Sequence, residues 1–114
     1  RRPKRRVRVI GRLRVDVDRR QVKVGDRPVS LTPLLFDLLD VLSADPERAW
    51  SRQELLREVW RSDWSPKGAR VVEVAACRLR RQLAAAGLPD AVRSVHGVGY
   101  RLFASAPERE AVAA

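Results

Sequence analysis

Arg70-Val-Val-Glu-Val-Ala-Ala-Cys-Arg-Leu-Arg-Arg-Gln-Leu83 is the stretch of this chain whose residue types and spacing are best suited to chemistry. Wound as a helix, it places Val72, Ala76, Leu79 and Leu83 on one side, at the four-three-four spacing of a core-facing stripe. Arg70, Val74, Arg78 and Arg81 then fall close together on the other side. Guanidinium groups presented in this way can neutralise phosphates or bond two guanine acceptors at once, and a DNA major groove admits one helix. The same pattern also fits a basic face that is merely solvated, so the helix alone leaves both readings open.

Other chemistries find less support. The chain has one histidine and one cysteine. It has no metal-ligand spacing and no phosphate loop. Ser94 and His96 stand two apart on a predicted strand edge with no positioned third group, so catalysis is not expected, and neither is a cofactor. A single cysteine excludes an intramolecular disulfide and a Cys-rich zinc site. Cys77 reads as a small residue at the edge of the basic face and not as a redox sensor. No apolar run approaches the ~20 residues that span a bilayer, and no signal-peptide pattern follows the basic N-terminus. A reducing cytoplasm is compatible with these features. The chain opens on Arg rather than Met, as a domain excised from something longer would.

The net charge of +10 points to a polyanionic partner. It is unevenly spread. Arg1 to Arg8 holds six basic residues and no acidic one, and Lys67 to Leu83 holds five basic and one acidic. The rest is near neutral. Residues 1–8 therefore read as a linker or a basic arm, 9–104 as one domain, and 105–114 as a tail.

Within that domain, Leu13-Arg-Val-Asp-Val and Gln21-Val-Lys-Val alternate as strands do. Gly25-Asp26 offers a turn into a third strand, Pro28-Val-Ser-Leu. Thr32-Pro33 opens a helix whose buried stripe is Leu35, Leu38, Leu39 and Leu42. Ser51-Arg-Gln-Glu54 is a capping box for a second helix, with Leu55, Leu56, Val59 and Trp60 as its apolar set. Asp63 to Gly68 reads as a loop carrying Trp64, which is open either to solvent alone or to a partner. The basic helix follows, over about 68–86, and then a hairpin over about 92–103. Its turn holds Gly97 and Gly99, both expected at positive φ. The fold class that results is α+β: an N-terminal three-stranded antiparallel sheet, three helices and a C-terminal β-hairpin wing. Helices two and three make a winged helix-turn-helix.

From Leu31 onward the motifs resemble the OmpR/PhoB-type winged-helix DNA-binding domain of bacterial response regulators. The carrying residues are Leu31-Thr32, Ser51-Arg52-Gln53-Glu54-Leu55-Leu56, Val59-Trp60, Arg70-Val-Val-Glu-Val, Arg78-Leu79-Arg80 and Ser94-Val-His-Gly-Val-Gly-Tyr-Arg-Leu102. The resemblance covers roughly residues 10 to 103. It implies sequence-specific binding of double-stranded DNA, with the third helix in the major groove and the wing at the minor groove. Tandem binding of two protomers on direct repeats is implied as well, and so is a contact of loop 61–69 with RNA polymerase. By the same resemblance, Arg70 matches a phosphate-contacting position, and Val74, Arg78 and Arg80 match groove-facing or phosphate-contacting ones. Trp60 matches an indole that reaches a phosphate, Ser94 a hydroxyl contact, and Tyr100 a tyrosine that packs or touches the backbone. Arg81 joins them from its helical placement. Tyr100 is expected to anchor the wing on the third helix.

The chain departs from the family pattern at Leu35 (usually acidic), Val71 (commonly Thr), Glu73 (Asp), Ala75 (His), Cys77 (polar or basic) and His96 (frequently Arg). These departures bear on base preference and not on the fold. A winged-helix module whose basic face meets an acidic protein is the competing reading, since fold alone does not decide function.

Overall fold

The computed structural model describes residues 6–103. Most of the basic arm and the whole tail lie outside the described residues. Short alternating segments near the N-terminus pair as an antiparallel meander of β1 (Val7–Ile10), β2 (Leu13–Asp16), β3 (Gln21–Val24) and β4 (Arg27–Val29). Leu13, Val15, Val22 and Val24 point inward from the two central strands and are buried, as period-two alternation requires.

This sheet has four strands, not the three expected from the sequence. The missed strand is β1, which takes in residues 7 and 8 of the expected arm and pairs with β2 from Val7↔Asp16 to Ile10↔Leu13. Its alternation is inverted. The valines face solvent, with Val9 60% exposed, and the inward position holds Arg8. That guanidinium donates from Nη1 to Asp40 O at 2.7 Å, Asp40 Oδ1 at 2.7 Å and Ser43 Oγ at 2.9 Å. An arginine at the inward position looks like part of a charge run until its partners, more than thirty residues away, are known.

Three helices follow: α1 (Pro33–Ala44), α2 (Arg52–Trp60) and α3 (Pro66–Ala85). Each begins on a side-chain cap. Thr32 Oγ1 accepts from Leu35 N at 3.2 Å, with Pro33 in the first turn. Ser51 and Glu54 exchange both bonds of the capping box, at 3.0 and 2.8 Å. Ser65 Oγ accepts from Gly68 N at 2.9 Å, ahead of Pro66. The last cap corrects the loop expected to run through Gly68. Ser-Pro is a cap followed by a first helical residue, so α3 begins two residues earlier than expected, and the connection shortens to residues 61–65.

The chain closes on β6 (Val92–Val95) and β7 (Gly99–Leu102), which form the expected hairpin. A further strand, β5 (Trp50–Ser51), adds to β7 on its other side, so the wing belongs to a sheet ordered β5-β7-β6. The core lies where the three helices meet. Leu38, Leu39, Leu42, Leu55, Val72, Leu79, Leu83 and Leu102 are all fully buried there.

Candidate nucleic-acid interface

α3 buries Val72, Ala75, Ala76, Leu79 and Leu83. The predicted stripe is thus in the core, with Ala75 added. The opposite side exposes Arg70, Val74, Arg78 and Arg81. Because the helix begins at Pro66, Lys67 joins this face one turn ahead of Arg70. Lys67 was missed while its segment read as a loop; the Ser-Pro cap was the signal that could have found it.

The two flanks of this face are built differently. On one, Arg52 Nε pairs with Glu73 at 3.1 Å, and Arg80 Nε donates to Val92 O at 3.0 Å. These contacts tie α3 to α2 and to β6. Arg80 is half-buried and serves first as a brace between helix and wing. On the other flank, Leu34, Leu35, Val71, Val74 and Ala75 line an open groove of about 360 Å³ between α1 and α3, with Lys67, Arg70 and Arg78 at its rim. Three departures from the family pattern, Leu35, Val71 and Ala75, meet in its wall.

In the wing, Gly97 turns the chain at φ +77°, and Val98 N donates to Val95 O at 2.9 Å. Gly99 is needed for a different reason from the one expected. It pairs with Ser51, and a Cβ there would collide with the carbonyl of Trp50. Ser94 and His96 are exposed on the hairpin. Tyr100 is only 6% exposed and belongs to the core, opposite Trp50 on one side and Ser94 on the other. Trp60 is partly buried against the same core.

The charges are arranged to match. Among the described residues, Arg6, Arg8, Arg20, Arg48 and Arg52 each pair with a carboxylate. Lys67, Arg70, Arg78 and Arg81 make no ion pair within the described residues, so their charge is available to an outside anion. Glu54 illustrates the opposite arrangement. The Ser51 backbone N–H, aided by the Arg48 guanidinium and opposed by burial, holds its carboxyl below the ordinary 4.5. Among the described residues no group of His, Cys, Asp and Glu could hold a metal ion, and no helix is long and apolar enough to cross a membrane.

A capped three-helix core, a hairpin wing and an exposed, unneutralised face on the third helix define a winged-helix class of protein. Residues 26–102 match the family described as "Transcriptional regulatory protein, C terminal". The chain belongs to this family, the OmpR/PhoB-type DNA-binding domain, which is a family of regulators and not of enzymes. It is 42% identical over 95 residues to the response regulator MprA of Mycolicibacterium vanbaalenii, an alignment covering 83% of this chain and 41% of that protein. The chain therefore spans about two fifths of the length of such relatives. Among solved structures, the DNA-binding domain of Klebsiella pneumoniae RstA in complex with RstA box superposes with a TM-score of 0.76 at 30% identity, covering 85% of this chain and 96% of that one. The DNA-binding domain of the response regulator AdeR, in complex with an intercistronic region, gives a TM-score of 0.76 at 25% identity, covering 85% and 99%.

Proposed function

We propose that this chain binds double-stranded DNA sequence-specifically as the effector domain of a bacterial transcriptional regulator. In this reading α3 lies in the major groove and the β6–β7 hairpin at the adjacent minor groove. The observation that carries it is the α3 face, where Lys67, Arg70, Arg78 and Arg81 stand exposed together on one side of one helix without ion pairs among the described residues. The RstA and AdeR complexes, each with DNA, support the same assignment.

Within it, Arg70 and Arg81 hold phosphates and Arg78 reads a base, with Val74 between them. Ser94 and His96 contact the backbone or minor groove, and the Trp60 indole N–H reaches a phosphate from the end of α2. Arg80 and Tyr100 position the wing. Two protomers occupy direct repeats about one helical turn apart. The connection over residues 61–65, where Trp64 is 51% exposed, meets RNA polymerase. The protein acts in the bacterial cytoplasm, at the nucleoid, under a regulatory domain elsewhere in the full protein.

The test is selection of bound duplexes from a random library at near-physiological salt. Enrichment of one motif, repeated in one direction at roughly ten-base-pair spacing, is the expected result. Retention without a motif would reduce the activity to electrostatic association. No retention even at low salt would transfer the basic face to an acidic protein partner.

A further inference from the structure

The exposed face of α3 is not uniformly polar. Val71 is 39% exposed, Val74 44%, and Leu34, across from them at the start of α1, 38%. All three line the single groove between α1 and α3, with cationic Arg70 and Arg78 at its rim. An apolar strip between two guanidinium groups would be left wet in the free protein, and it lies on the side assigned to the major groove. The apolar group that base edges present there is the C5-methyl of thymine. A base edge offering only donors or acceptors to this strip would lose its water without gaining a partner.

We propose that Val71, Val74 and Leu34 form a reader for thymine methyl groups, and that these residues specify a thymine step between the contacts of Arg70 and Arg78. The groove is wider than one methyl, so adjacent thymines fit it better than an isolated one. The inference rests on the DNA-binding reading, and its test separates the two. Each thymine of the selected duplex is replaced in turn by deoxyuridine, which removes the methyl and leaves base pairing intact. Affinity for the chain is then measured by fluorescence anisotropy.

One or two adjacent positions should lose roughly fourfold in affinity per methyl. The Val71→Ala and Val74→Ala variants, altered only at exposed positions, should bind the thymine duplex more weakly and no longer distinguish it from the deoxyuridine duplex. If the chain binds its motif specifically but no deoxyuridine substitution matters, the groove does not read methyls and DNA binding stands. A selected motif without thymine, or a methyl effect that survives in both valine variants, overturns the assignment in the same way. Failure to bind any duplex overturns the functional reading and this inference with it.

Discussion

Arg80 and Arg81 are neighbours in sequence with opposite tasks. Arg80 is half-buried and donates to Val92 O, whereas Arg81 is exposed on the side proposed to meet DNA. Arg80→Ala should therefore destabilise the fold by about 1–2 kcal/mol, because a charged donor is removed and a part-buried carbonyl loses its partner. Arg81→Ala should change stability by less than about 0.5 kcal/mol while weakening DNA binding. Urea titrations of both variants check this, and equal stabilities would refute the division of labour. Glu54 gives a pH prediction. Its folded-state pKa is lowered, first by the Ser51 backbone N–H, so its stabilising contribution is complete above the usual 4.5 and is lost as pH falls through the lowered value. Glu54→Gln should flatten the acid limb of the stability profile below pH 4.5, and the two proteins should converge at the lowest pH. Unfolding curves between pH 7 and 2.5 that stay parallel would count against it. The effect is modest, since the side chain is 38% exposed.

Among the elements, the wing depends most on a single residue. Gly99 lies where β7 crosses β5, and a Cβ there would strike backbone, not a side chain that could swing away. Gly99→Ala should cost about 2–3 kcal/mol. Gly97→Ala, at φ +77° with open space around it, should cost only about 1–2 kcal/mol, the ordinary penalty of a left-handed alanine. Guanidinium denaturation would rank the two, and a larger loss at Gly97 would mean the β5–β7 crossing is looser than described. Helix-scale features were the most legible. Caps at Thr32 and Ser51 and the stripes of α1 and α3 depend on neighbours three or four residues apart, which the sequence displays directly. β5 was not legible because two residues carry no period, and Trp50-Ser51 is a strand only by virtue of pairing with a segment some fifty residues later.

For the whole molecule, the charge distribution predicts the salt response. If Lys67, Arg70 and Arg81 each neutralise a phosphate while Arg78 reads a base, the logarithm of the binding constant should fall against the logarithm of salt with a slope near −2.7, about 0.9 per contact. Arg81→Ala should reduce that slope by about one. Anisotropy titrations between 50 and 200 mM salt measure it, and a slope near zero would exclude phosphate contact as the main source of affinity.

At this scale the amino-acid sequence alone determined the order of helices and hairpin, the caps at Thr32 and Ser51, the buried stripe of α3 and its basic face, because each is written in local periodicity and side-chain chemistry. Family membership, too, was carried by ordered motifs that survive without coordinates. The tertiary structure decided which charges are available. Arg8 looks like arm and Arg80 like interface, yet Asp40, Ser43 and Val92 claim them. It also decided that Leu34 and Val71 share one groove. Those outcomes depend on contacts between residues twelve to thirty-seven apart in the chain, and such distances carry no repeating signal along the sequence.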